Sequence, residues 1–290
     1  MQIVSSFIYI LKMINIVEFL KTTCPEVLTE EQVIQFGKNN KDAKFNQCVI
    51  LGGGPGSGKG FIARNKLMYD YKTFNVDDLK KLYMKQVKSG NIDDREYDLS
   101  NEKDVSDLHY KVRDKMWKQR ERVRFFKDKE AGSERLPNIL FDMTADEASS
   151  IDAAVLKMFS YRGTNDTEDT APAVVDLGYK ITFVWVVSNE EIAAQNNMKR
   201  ARRVNSDLLH KLHQRCNEFI PKLLSGEYPE ISKYIDDVWI AYSAGAGREL
   251  IGKYKESPVK HLKKLDDTTF DYESVKADVE EFQHLDLPKK

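Results

Sequence analysis

Cysteine and histidine are scarce in this chain, at 3 and 5 of 290 residues, and net charge is almost absent at −1. The cysteines, Cys24, Cys48 and Cys216, are far apart and odd in number. They match neither a metal spacing nor a disulfide framework and read as buried thiols in a reducing compartment, the cytoplasm. Lys and Arg, 45 together, balance 46 Asp and Glu. The chain therefore has no global field to draw it to nucleic acid or to an anionic membrane, and any such contact must be local. Internal repeats and low-complexity tracts are missing too. The apolar run Met1 to Leu20 lacks a preceding Lys or Arg and is interrupted by Lys12, with no small-residue cleavage site after it. It does not read as a signal peptide. With Glu18 also inside, it is a poor membrane span and reads as a helix docked on the core; an interfacial anchor is the alternative. Met13 is an alternative start of translation.

What the chain does contain is a 41% hydrophobic content with 14 Phe, 13 Tyr and 3 Trp, enough for a sizeable core. Its length suits one large α/β domain with attachments, or at most two domains. One stretch organises the rest. Gly52-Gly53-Gly54-Pro55-Gly56-Ser57-Gly58-Lys59-Gly60 follows the apolar run Cys48 to Leu51 and precedes a helix-compatible segment from Phe61. Gly53 to Lys59 fits G-x-x-x-x-G-K between a strand and a helix, the context a phosphate-binding loop requires. Glycines let successive N–H groups face inward, and the following helix N-terminus adds partial positive charge. Lys59 would reach the β- and γ-phosphates of a nucleotide. The Ser or Thr that usually follows this lysine is replaced by Gly60, and then comes Phe61.

Around the loop, short helices are expected at Asn15–Lys21 and from the capping box Thr29-Glu30-Glu31-Gln32 to about Phe36. Strands are expected at Cys48–Leu51, Lys72–Val76, Asn138–Asp142, Lys180–Val187 and Asp237–Tyr242. Helices should run over Phe61–Tyr71, Asp78–Lys88 and Ser149–Ser160, then close at Gly178. Another should start at Ser188-Asn189-Glu190-Glu191 and one should span Asp207–Leu224, capped by Asn205 or Ser206. A closing helix is expected over Tyr272–Phe282. Val105, Leu108, Val112 and Met116 recur at helical spacing and predict a long amphipathic helix into the Phe125 region. Its basic flank, Lys111, Lys115, Lys118 and Arg122, is interleaved with acids and reads as a solvated face. Gly90 to Asn101 reads as a surface loop. Five strands separated by crossover helices describe a mostly parallel sheet with helices on both faces and extra N- and C-terminal helices.

In such a sheet, ligands bind beyond the carboxyl ends of the strands. The loop follows strand one, Asp77-Asp78 follows strand two and Asp142 ends strand three. Phosphoryl transfer requires a phosphate cradle, Mg²⁺, a positioned nucleophile and positive charge on the transferred group. Asp77 is placed to accept the proton of a substrate hydroxyl; capping the next helix is its alternative role, and Asp78 is its rival for either. Asp142 would hold Mg²⁺ through water. The run Lys199-Arg200-Ala201-Arg202-Arg203 offers a lid whose arginines, Arg200 or Arg203, close over phosphates.

Together these motifs resemble the P-loop kinases grouped around zeta toxins and polynucleotide 5′-hydroxyl kinases. The likeness runs from about Gln47 to Ala244 and is carried by Gly54-Pro55-Gly56-Ser57-Gly58-Lys59, Asn75-Val76-Asp77-Asp78, Ile139-Leu140-Phe141-Asp142 and the arginine run. It implies a P-loop kinase three-layer sandwich over residues 46–250, a helical segment over 1–45 and a charged extension over 251–290. It also implies transfer of the γ-phosphate of ATP, with Mg²⁺, to a hydroxyl acceptor. In polynucleotide kinases the base is the first acid of the Asn-x-Asp-Asp motif, which falls on Asp77; in zeta toxins the matching acid serves UDP-N-acetylglucosamine. The acceptor implied here is a nucleotide-sugar or a nucleic-acid end, and an antitoxin-like partner follows from the family alone. The pair Lys59-Gly60 departs from the Lys-Ser or Lys-Thr of zeta toxins and is the form found in nucleoside monophosphate kinases. Asp142 stands where zeta toxins more often have Glu followed by Gly-Thr, and the insert from Gly90 to Asn138 has no counterpart in these relatives. A nucleoside-monophosphate-type kinase and a nucleotide-binding module without catalysis are the alternative readings.

Overall fold

Alternation of side chains along the strands sets the layering of this molecule. The strands β1 (Gln47–Gly52), β2 (Lys72–Phe74), β3 (Ile139–Asp142), β4 (Lys180–Val187), β5 (Asp237–Tyr242) and β6 (Val259–Leu262) form one sheet in the order β2-β3-β1-β4-β5-β6. The computed structural model describes residues 45–67, 71–98, 101, 103–105, 107–108, 111–112, 138–152, 154, 174–199, 204–245 and 248–288. The first five strands pair in parallel, and β6 joins β5 antiparallel. Cys48, Ile50, Phe141, Ile181, Phe183, Trp185, Val238 and Ile240 enter one hydrophobic cluster. Their sequence neighbours Val49, Leu51, Leu140, Val184, Val186, Trp239 and Ala241 enter another. A period of two thus divides the apolar residues between two buried faces, and the near-continuous runs of β1 and β4 are the signature of a sheet covered on both sides.

The helices are α1 (Lys59–Asn65), α2 (Val76–Lys88), α3 (Ala148–Asp152), α4 (Glu190–Met198), α5 (Ser206–Leu224), α6 (Pro229–Ser232), α7 (Gly252–Glu256) and α8 (Glu273–His284). α1 covers the second face through Ile62 and Ala63. α5 covers the first through Cys216, Phe219, Ile220, Leu223 and Leu224, at helical spacing. Of the two residues expected to cap α5, Asn205 does so, accepting from the N–H groups of Asp207 and Leu208. Asn189 rather than Ser188 caps α4, by accepting from Ile192 N.

The five expected strands are all present, with β4 and β5 at the expected bounds. Val76, expected in strand two, instead opens α2, so β2 is three residues long. The segment Val174 to Gly178 forms turns rather than the end of a helix. The larger correction concerns residues 251–290. Instead of a charged extension, they supply β6 to the sheet and Tyr254, Val275, Val279 and Phe282 to the core. Rings of Tyr242, Tyr254 and Phe282 meet pairwise at 4.8–5.0 Å, and Lys253 and Lys260 share Asp278. Strand β6 carries Lys260 and His261 at the sheet edge, where charge blocks further strand pairing. That charge is also what hid the strand in the sequence.

The insert after α2 is likewise more than a surface loop. Tyr83, Met84, Val87, Tyr97, Leu108 and Val112 bury one another in a separate small cluster. One oxygen of Asp94 accepts from Tyr83 Oη (2.6 Å), Lys111 Nζ (2.7 Å) and Tyr97 Oη (3.1 Å). These bonds, Lys111 first, hold the Asp94 carboxyl well below the usual carboxylate range. Lys111 of the basic flank is therefore engaged in packing the insert; Lys115, Lys118 and Arg122 lie outside the described residues, as do the helices expected before residue 45. Among the described residues no helix is long and apolar enough to cross a membrane.

If residues 251–290 belong to the core, Phe282→Ala should destabilise the protein by about 3–5 kcal/mol. Chemical denaturation followed by circular dichroism checks this. Loss of less than about 1 kcal/mol would return the segment to the status of an appendage.

Candidate active site

The loop-bearing strand β1 lies between β3 and β4. After β1 the chain runs out to β2, returns to β3 and then crosses to β4, so the order reverses around β1. In open α/β sheets ligands bind beyond the carboxyl ends of the strands at such a switch point, and the loop follows β1 there. Gly56 takes a φ of +81° and a Cβ there would run into the Ala193 carbonyl of α4, so the bend and the close approach both require glycine. The loop base is tied to the chain leaving β3: Gly53 N donates to Thr144 O (2.9 Å) and Met143 N to Leu51 O (3.1 Å).

Register brings the polar residues together. Phe74 of β2 sits beside Phe141 of β3, and Leu51 of β1 beside Asp142. The next residue on β2's path, Asn75, consequently reaches Asp142, donating from Nδ2 to Oδ2 at 2.8 Å. The other oxygen, Oδ1, lies 3.9 Å from Lys59 Nζ. Lys59 bends back over its own loop and donates to the carbonyls of Gly53 (2.6 Å) and Gly54 (3.1 Å). Its ammonium therefore stands at the loop mouth beside one carboxylate, with the alkyl stem half-buried.

The expected phosphate-binding residues Gly53, Gly54, Pro55, Gly56, Ser57, Gly58, Lys59, Gly60 and Phe61 occupy the loop and the first turn of α1. Ser57 is buried, and its Oγ has no hydrogen-bond partner among the described residues. Gly60 is exposed, and a Cβ added there would meet nothing within 4 Å. Phe61 is exposed on α1. Asp77 is the second residue of α2, immediately beyond the carboxyl end of β2. Arg200 and Arg203 lie outside the described residues.

Two residues that the sequence reading passed over also touch the loop. His213, buried on α5, donates from Nε2 to the Pro55 carbonyl at 2.8 Å. A carbonyl can only accept, so the bond assigns the proton to Nε2. The ring also lies under Gly54, where any Cβ would fall on it. Asn196 of α4 donates to the Gly56 carbonyl at 3.3 Å. Three residues beyond His213, Cys216 donates from its thiol to Thr144 O at 3.2 Å, and burial pushes that thiol up to about 12. Asp146, four residues after Asp142, is raised by burial, and Arg215 at 3.6 Å opposes the shift. Lys80, one helical turn beyond Asp77, is 3% exposed, rare for a lysine. In the sequence, only the three- and four-residue spacing of His213 with Leu209 and Cys216 marked it as facing inward, and that pattern marks a core residue equally well.

The fold and the loop define an α/β protein of the P-loop class. No protein-family model matches the chain, and no curated protein matches it. Solved structures similar to it include the PezAT chromosomal toxin–antitoxin system of Streptococcus pneumoniae, at 10% identity and a TM-score of 0.38 over 78% of this chain and 75% of that one. Another is AvrRxo1-ORF1 with AvrRxo1-ORF2, at 11% identity and 0.46 over 84% and 66%. A third is the deoxyadenosine kinase of M. mycoides, at 16% identity and 0.32 over 61% and 84%.

Burial holds His213 below its ordinary value of 6.5, and nearby Lys59 and His210 push the same way; the bond to Pro55 and the Glu190 carboxylate oppose them. The folded state thus favours neutral imidazole. Its contribution to stability is full above pH 6.5 and is lost as pH falls through 6.5 towards the lower folded value. Urea unfolding should show this loss below pH 6.5 in the wild type, and His213→Gln should remove that part of the pH dependence. An unchanged profile in the variant would remove His213 as its source.

Proposed function

We propose that this chain is an ATP- and Mg²⁺-dependent phosphotransferase that moves a γ-phosphate to a hydroxyl on a sugar, a nucleotide-sugar or a nucleic-acid end. The observation that carries the reading is the meeting of Lys59, Asp142 and Asn75 at the loop mouth, beyond the carboxyl edge of the sheet. Such a site offers a cradle for phosphate, a cation for its developing charge and an acid for the metal.

The residues present fit Mg²⁺ held mostly by water and phosphate. Mg²⁺ commonly takes one or two carboxylates, keeping waters and substrate phosphate oxygens for its other positions. Asp142 is such a carboxylate, with Asn75 on one oxygen and the other turned towards Lys59. Among the described residues there is no cluster of three metal-ligating side chains, and Gly60 contributes none. When bound, the metal supplies charge neutralisation across the β- and γ-phosphates.

In the proposed reaction the acceptor hydroxyl oxygen forms a bond to the γ-phosphorus. The bond from that phosphorus to the bridging oxygen breaks, and its electron pair leaves with ADP. The hydroxyl proton passes to Asp77, the second residue of α2, three residues after the end of β2. Lys59 exchanges its bonds to the Gly53 and Gly54 carbonyls for phosphate oxygens, and Arg200 or Arg203 adds positive charge from the segment between α4 and α5. The open surface at Gly60 keeps a second reading in play, a binding module that holds nucleotide without transfer.

Incubation with γ-labelled ATP and a panel of UDP-sugars, 5′-hydroxyl oligonucleotides and nucleoside monophosphates separates these readings. Label should pass to a hydroxyl of the first two classes. Transfer to none, with ATP binding intact, would select the binding module. Asp77→Asn should lower transfer by at least about 100-fold while ATP affinity stays within about threefold; an active variant would take Asp77 out of the mechanism. Lys59→Ala should lower both. Gly60→Ser has room for its side chain, so it should increase the dependence of ATP affinity on Mg²⁺, measured by calorimetry with and without the metal.

A further inference from the structure

A phosphate loop has a polarity problem. Every peptide that offers an N–H to an anion also carries a carbonyl, and a carbonyl facing the anion repels it. In this loop the carbonyls of Gly53, Gly54, Pro55, Gly56 and Gly58 are held by donors. Gly53 O and Gly54 O accept from Lys59 Nζ, Pro55 O from His213 Nε2 and Gly56 O from Asn196 Nδ2. Gly58 O accepts from the N–H groups of Phe61 and Ile62. On the other side of the peptides, Gly53 N donates to Thr144 O and Ser57 N to Gly54 O. The N–H groups of Gly54, Gly56 and Gly58 find no protein acceptor among the described residues.

Two of these holds differ in kind. Lys59 would leave Gly53 and Gly54 to reach a phosphate, as the reading above requires. His213 and Asn196 have no such competing task. They belong to α5 and α4, the two helices that flank the arginine run; His213 is buried and Asn196 half-buried. A further contact makes the two helices one support. Asn197 accepts from Val204 N at 2.9 Å and donates to Val204 O at 2.6 Å, closing the base of the segment that carries the arginines. Asn197 is 5% exposed, so this paired contact is made away from solvent, where breaking it is costly.

We propose that His213 and Asn196 are positioning residues of the phosphate site. His213 holds the Pro55 carbonyl so that the N–H of the same peptide, on Gly56, presents to phosphate; Asn196 holds the next carbonyl, Gly56 O, whose peptide N–H on Ser57 is turned to Gly54 O, and so fixes the bend of the loop against α4. They touch no phosphate themselves. The ring of His213 also sets the sequence requirement at residue 54, because any larger side chain would displace it. The proposal rests on the reading of Gly53 to Lys59 as a nucleotide phosphate site.

The test compares variants in the full-length protein by calorimetric titration with Mg·ATP and with inorganic tripolyphosphate. His213→Leu fills the space but cannot donate, and should weaken both ligands by about tenfold or more, the scale of one lost hydrogen bond. His213→Gln restores a donor near the Nε2 position and should recover binding to within about threefold of wild type. Asn196→Leu should weaken both ligands in the same way. Thermal melting without ligand identifies any variant that fails to fold, and the Gln variant then carries the comparison. Equal affinity for His213→Leu and wild type would overturn the proposal, and so would a His213→Gln protein as weak as the Leu variant, since shape and not donation would then be the role. Failure of the wild type to bind either ligand would overturn the phosphate reading itself, a result distinct from either of these.

Discussion

Backbone polarity is the constraint on which the rest of this site depends. A loop of glycines is flexible enough to present its N–H groups to an anion, and equally able to present its carbonyls. Here the surrounding structure makes the choice. Lys59 holds two carbonyls, while α4 and α5 hold two more through Asn196 and His213. The helices can do so only because β1 lies in the middle of the sheet, with β4 next to it delivering the chain into α4. The order of the strands and the chemistry of the loop are thus one arrangement.

The same central position explains why the interior is so apolar. Strands β1 and β4 are covered on both faces, so nearly every side chain they carry must be buried, and alternate residues serve different helical layers. At the carboxyl ends the demand reverses. Asn75, Asp142 and Lys59 gather where the strands stop. Polar groups are tolerated there because each finds a partner: Asn75 occupies one oxygen of Asp142, and Lys59 faces the other.

Much of this was legible beforehand where local chemistry leaves little freedom. Strand β4, Ile181 to Val187 without a polar interruption beyond Thr182, has no alternative to burial between layers. The loop announces itself by spacing, because G-x-x-x-x-G-K between a strand and a helix satisfies several independent requirements at once. Illegible were the elements whose meaning depends on a distant neighbour. β6 reads Val-Lys-His-Leu, too short and too charged to stand out, and becomes a strand because β5 offers it an edge. Asp94, in a stretch of charges that resembles a solvated loop, becomes the knot of a small cluster because Tyr83, Tyr97 and Lys111 converge on it. His213 sits 158 residues from the carbonyl it holds.

What the amino-acid sequence determined by itself is therefore the set of parallel strands, the phosphate loop and the acids that follow the strands, since periodicity, glycine spacing and side-chain type are local properties. Tertiary structure alone decided that Asn75 and Lys59 share Asp142 between them, that residues 251–288 contribute a strand and apolar side chains to the core, and that α4 and α5 each donate to a carbonyl of the loop. Each of those contacts joins groups far apart along the chain. Their free energies appear only when strand order and register have brought them within hydrogen-bonding distance, and no local pattern encodes that.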